Sequence, residues 1–102
     1  MDEPRLDYEN LDVYQLAIEF VPVALRLARK LPRGEAEFKS QLKRAAMSIP
    51  LNIAEGTGKP SGPDRARFNA IARGSAMECG SVIDACAAAE WITVDEKRSA
   101  KV

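Results

Sequence analysis

The chain contains no histidine. Catalysis by a histidine acid or base, histidine-activated nucleophiles and most zinc sites are therefore excluded. Aromatic residues are scarce, with one Trp, two Tyr and three Phe, and no aromatic cluster is expected in the basic zone. Stacking of single-stranded bases on aromatic rings is accordingly not expected. Only two cysteines occur, Cys79 and Cys86. Seven residues of helix separate them by about 10 Å along the axis, too far for a disulfide, so they read as buried free thiols. Long apolar runs are also missing, and none approaches the roughly 20 residues that a bilayer requires. The first ten residues, MDEPRLDYEN, are acidic and lack the basic-then-apolar layout of a secretory signal, which makes a cytoplasmic location the expectation.

What remains is a chain of 102 residues with 46% apolar and 29% charged side chains, the make-up of one small soluble globular domain. A domain of this size buries only about two-thirds of the surface of its unfolded chain, so a partner subunit would add to its stability. The 15 cations and 15 anions cancel, but unevenly. Residues 1–38 carry five cations and eight anions, 39–73 seven and two, and 74–102 three and five, so the middle third is net +5. A basic zone in an otherwise acidic chain points to a phosphate-rich or acidic partner.

Apolar periodicity defines the helices. The first is expected from the N-cap Asn10 to Leu31, where Pro32 disfavours further helix. It bears two apolar seams: Leu11, Tyr14, Ile18, Val21, Leu25 and Ala28 form one, and Val13, Leu16, Phe20, Val23 and Leu27 the other. Two seams on one helix predict contacts on two sides, one within the chain and one with another copy. Pro22 lies inside this helix and predicts a kink. The second helix is expected over residues 35–55, with Pro50 depriving the Ala46 carbonyl of its donor and predicting a bend beside Ser48 and Asn52. The segment GTGKPSGPD ends it. This segment lacks the preceding strand and glycine spacing of a phosphate-binding loop. Ser61 and Asp64 read instead as a capping pair for a third helix, residues 62–91. In that helix the small run Gly74-Ser75-Ala76 predicts close approach of a neighbour. Thr93 and Glu96 predict the start of a last helix with only about two turns of chain to build on.

The densest pattern lies in the second helix, QLKRAAMSIPLNIAEGTGK. At about 100° per residue Gln41, Arg44, Ser48, Asn52, Glu55 and Lys59 fall within an arc of roughly 80°. Beside them Phe38, Leu42, Ala45, Ala46, Ile49 and Ile53 form a core stripe roughly 100° wide. The third helix presents Phe68, Ile71, Ala72, Ser75, Cys79, Val82, Ile83 and Cys86 to the core, with Glu78 at the stripe's edge, where it can meet a cation such as Arg44. Gln41, Arg44, Ser48, Asn52, Glu55 and Glu78 are thus expected to form a structural polar cluster at a helix seam, the Arg–Glu pair setting register.

The segments RAAMSIPLNIAEGTGK and RFNAIARGSAMEC, with the opening LDVYQLAIEFV, closely resemble the signature of the 23S rRNA intervening-sequence proteins, a bacterial family also labelled S23. The resemblance covers about residues 8 to 92. It implies an all-α, up-down bundle without established enzymatic activity, commonly a homopentamer. It also implies RNA or DNA, or a nucleic-acid enzyme such as a reverse transcriptase, as partners, because similar proteins serve as accessory factors of diversity-generating retroelements. The expected organisation is an N-terminal arm (1–9), a helical bundle domain (10–92) and a short C-terminal segment (93–102) in place of the family's full fourth helix.

The function expected from these readings is a non-enzymatic, self-assembling bundle that offers a basic surface to nucleic acid, without cofactor or metal. Lys39, Lys43, Lys59, Arg65, Arg67 and Arg73 are the candidate phosphate contacts, with Arg44 beside them. The competing reading is a purely structural or protein-binding scaffold. An enzyme built on Glu55, Glu78, Arg44, Ser48 and Asn52 is disfavoured, since no nucleophile has a recognisable base.

Overall fold

A computed structural model describes Tyr8 and residues 11–101. Four helices follow one another: α1 (Asp12–Lys30), α2 (Ala36–Thr57), α3 (Gly62–Ala88) and α4 (Val94–Ala100). Among the described residues there is no strand, so the protein is an all-α bundle of three long helices and a short fourth. The expected N-cap Asn10 and most of the N-terminal arm lie outside the described residues. Leu11 occupies the cap position of α1 without a side-chain cap.

Local signals place the other ends. Leu31 turns extended ahead of Pro32, its N–H donating to the Ala28 carbonyl at 3.3 Å, and its side chain is buried. Ser61 accepts from the Asp64 N–H at 3.2 Å, as the capping pair predicts. Thr93 and Glu96 form a complete capping box, with bonds of 3.0 and 2.8 Å. The third helix stops three residues sooner than expected. Glu90 adopts a positive φ of 64°, and the Trp91 N–H donates back to the Cys86 carbonyl at 2.9 Å. This reversal seats the Trp91 ring edge-on against Phe38, 5.6 Å between centroids, and buries Ile92. Both prolines are accommodated within helices, since α1 continues through Pro22 and α2 through the buried Pro50.

The second helix is the middle of the molecule. It packs against α1 on one side and α3 on the other, whereas α1 and α3 form no interface with each other. Alanines at the α1–α2 contact, including Ala24, Ala28 and Ala46, are fully buried and let the two backbones come close. The main core gathers Leu27, Leu42, Cys79, Val82, Ile83 and Cys86 toward the α4 end, and a smaller cluster of Ala17, Ile53 and Ala72 lies apart from it. Burial of a side chain such as Leu42 or Ile83 stabilises the fold by roughly 1.5–3 kcal/mol. Burial also raises both thiols, Cys79 to about 11 with help from the neighbouring Glu78 carboxylate.

The short α4 spans the far end of the groove that separates α1 from α3. It buries Ala100 and is held by charge: Lys30 of α1 pairs with Glu96, and Lys97 and Lys101 pair with Asp84 of α3. These ammonium groups, hydrogen-bonded to the carboxylates, hold Asp84 and Glu96 below the usual carboxylate range. Both apolar seams of α1 remain only partly covered. Tyr14, Ile18 and Val21 border an open hollow with Met47, Pro50 and Leu51 of α2, while Val13, Leu16 and Phe20 line the groove facing Gly80 and Ile83 of α3.

Candidate functional site

The polar row of α2 divides in two. Ser48 and Asn52 lie at the α2–α3 seam, where the Asn52 amide donates to the Ser48 carbonyl and hydroxyl, both at 2.8 Å. From α3, the Ser75 hydroxyl donates to the Ser48 hydroxyl at 2.8 Å. These three half-buried side chains join the two helices. The remaining charged members behave differently from the expected cluster. Arg44, Glu55 and Glu78 are exposed, Glu55 pairs with Lys59 at 3.4 Å, and among the described residues Arg44 and Glu78 form no ion pair. The physical reason is position. Arg44 and Glu55 face the solvent side of α2, where hydration costs nothing, whereas burying an ion pair carries a desolvation penalty. Gln41, at the other end of the row, is half-buried.

Close approach of the two helices occurs at Gly56, not at the run Gly74-Ser75-Ala76. A Cβ added at Gly56 would lie 3.0 Å from the Phe68 Cβ and 3.4 Å from the Arg65 carbonyl oxygen, whereas one at Gly74 would meet nothing within 4 Å. Gly74 is exposed, and only Ser75 of that run reaches the seam.

The basic candidates also separate. Lys59, Arg65 and Arg67 come together where α2 turns into α3. The Lys59 ammonium stands 5.1 Å and the Arg67 guanidinium 4.7 Å from the centre of the Phe68 ring, within range of a cation–π attraction. Arg65 donates to the carbonyls of Lys59 and Pro60, both at 3.0 Å, and so fixes the turn. Phe68 therefore corrects the expectation that no aromatic residue accompanies the basic zone. Its value was legible in the adjacent Arg67-Phe68 pair, but the approach of Lys59 across the turn was not. Arg73 lies two helical turns further along α3, about 12 Å from Arg65, on the edge of the α1–α3 groove. Lys39 and Lys43 lie well back on α2, with Lys43 about 21 Å along the axis from the helix end at Thr57.

Chemically, the site offers hydrogen-bonding hydroxyls and an amide, exposed cations and scattered carboxylates. Neither Ser48 nor Ser75 has a general base among its hydrogen-bond partners. Among the described residues no group of three or more Cys, Asp or Glu side chains could hold a metal ion, and no helix is long and apolar enough to cross a membrane.

A middle helix flanked by two long antiparallel neighbours, joined by a serine–asparagine lock and capped by a short fourth helix, defines a small helical-bundle protein. The family model described as 23S rRNA-intervening sequence protein matches residues 9–101, and the chain belongs to that family. No curated protein matches it.

Proposed function

We propose that this protein is a non-enzymatic, self-assembling helical bundle that presents a basic surface to nucleic acid or to a nucleic-acid enzyme. The observation that carries the reading is the placement of Lys59 and Arg67 over the Phe68 ring at the α2–α3 turn that Arg65 fixes. Phosphate contacts from such side chains release counterions and need no base-specific geometry. One copy supplies a weak site, because Glu55 and Asp64 stand near the same turn. Repetition of the turn in an assembly converts weak single contacts into avidity. Self-assembly is supported by the two α1 seams and by exposed apolar side chains such as Leu16 and Leu51.

The scaffold reading has an observation in its favour as well. Lys59 is engaged by Glu55, and Arg65 directs its N–H groups at carbonyls of the turn, which are internal tasks. Anisotropy of labelled RNA and DNA titrated with the protein separates the two readings. Binding at low salt that weakens steeply as salt rises, and that is diminished by Arg67→Ala, supports the nucleic-acid surface. Absence of binding at low ionic strength leaves the scaffold. The expected compartment is the cytoplasm, and neither cofactor nor metal is required.

A further inference from the structure

The groove between α1 and α3 has an apolar floor and a charged end. Ile53, Ala72 and Ile83 on the floor are exposed by only 5%, 5% and 2%, below a crest of Val13 and Leu16 on α1. Its two halves share Val13, Ile49 and Ala76, so a single channel runs from the α2–α3 turn to α4. The half beside the turn holds about 580 Å³, within the roughly 300–1,000 Å³ of small-molecule sites. Among the described residues every charged side chain that lines the channel is a cation: Arg65 and Arg73 near the turn, and Lys101 at the α4 end. Asp12 and Glu19 of α1 lie outside this lining. The three cations are engaged differently. Lys101 is paired with Asp84, and Arg65 directs only Nη1 at the turn carbonyls. Arg73 and the Asn69 amide, which stands midway between the two arginines, have no hydrogen bond or ion pair among the described residues. The open cations are therefore gathered at one end of an apolar trough.

We propose that this groove binds a fatty acid, its carboxylate held over Asn69 between Arg65 and Arg73 and its chain laid along the apolar floor toward α4. Both halves of the ligand are needed to match the site. A bare anion leaves the floor in water, and an uncharged apolar molecule leaves the guanidinium groups without a partner. A carboxylate suits the charged end because each guanidinium offers a planar pair of N–H donors to two oxygens. Length fits as well: Arg73 and Ile83 stand about 15 Å apart along α3, the span of an extended chain of roughly a dozen carbons. The tail has room at Gly80, where an added Cβ would meet nothing within 4 Å, and ends against the buried Ala100 of α4. Such a ligand lies below Val13 and Leu16, so a second copy seated on that crest would cover it.

Titration calorimetry with dodecanoate, kept below its micelle concentration, tests the site. Dodecyltrimethylammonium serves as the same chain with the opposite charge, and acetate as the same head without the chain. Dodecanoate is expected to bind once per chain, at least about tenfold more tightly than either control. Arg73→Glu is expected to weaken dodecanoate by about tenfold or more and to strengthen the cationic amphiphile, a reversal that a merely structural role for Arg73 would not produce. Ala76→Trp, which fills the shared middle of the channel, is expected to weaken both amphiphiles. Arg73 and Ala76 are exposed, so both variants are expected to keep their helical circular dichroism, and Arg73→Glu decides alone if Ala76→Trp does not fold. Equal binding of the two amphiphiles, several molecules bound per chain, or an unchanged preference in Arg73→Glu overturns the proposal. So does the absence of dodecanoate binding, and if Ala76→Trp then also lowers the mass of an assembled protein in light scattering, the groove belongs to a second copy instead.

Discussion

The α2–α3 seam and the α1–α3 groove draw on the same small and apolar residue types, yet one is closed and the other open. At the seam Gly56 admits the Phe68 Cβ and the α3 backbone, and Ser48, Asn52 and Ser75 satisfy one another across the junction. In the groove Gly80, Leu16 and Val13 face each other across a gap too wide for contact, and only α4 bridges its end. Residue type alone therefore does not close an interface. Closure at the seam follows from a short turn that forces α2 and α3 together, whereas α1 and α3 form no direct interface and are joined through α2 and, at one end, through α4.

The sharpest way to break this contrast is to remove a large side chain from each region. Leu42→Ala, inside the core, is expected to lower stability by about 2–5 kcal/mol in a urea titration. Leu16→Ala, on the groove wall, is expected to change the stability of the isolated chain by less than about 0.5 kcal/mol. Equal losses would mean that the groove is packed in the single chain.

The glycines sharpen the same comparison at lower amplitude. Gly56→Ala is expected to cost about 1 kcal/mol net, because overpacking against Phe68 and the Arg65 carbonyl outweighs the helix preference of alanine. Gly74→Ala, with nothing near its added methyl, is expected to gain up to about 1 kcal/mol. A gain at both positions in thermal melts would show that the seam is loose. Ser75→Ala removes the donor to Ser48 and is expected to cost about 0.5–1.5 kcal/mol.

Much of this architecture was legible in the chain. The core stripe of α2, the Ser61–Asp64 cap and the Thr93–Glu96 box follow from spacing, because each depends on residues within one or two helical turns. Placement of Ser48 and Asn52 at a seam was legible for the same reason. What spacing cannot supply is the rotation of one helix relative to another. Arg44 and Glu78 occupy edges of their stripes that look complementary in sequence, but in the fold both are left in solvent. The close contact fell at Gly56 instead of Gly74 because the turn at 58–61 sets where α2 and α3 meet. The early end of α3 rests on Glu90 in a left-handed conformation, which a sequence rule based on glycine does not anticipate.

The α4 end of the groove responds to acid. Asp84 and Glu96 have lowered pKa values in the folded state, so their ion pairs contribute stability above the usual carboxylate value near 4, and that contribution is lost as pH falls through the lowered values. Acidification below about pH 4 is expected to release α4 first, seen as faster amide exchange at residues 94–100 while α2 and α3 remain protected. Simultaneous exchange of all helices would contradict the separate attachment of α4. The smallest expected signal concerns the thiols. With Cys79 raised to about 11 and Cys86 raised by burial, both are expected to react slowly with iodoacetamide at neutral pH and quickly once urea unfolds the chain.

The proposed function has copies of this chain cover the open groove and the exposed outer face of α1 and α2, and the mass of the unaltered protein in solution tests that proposal most directly. Light scattering at micromolar concentration is expected to give an integral multiple, greater than two, of the 11.2 kDa chain. A steady value of one chain mass across concentration would contradict it.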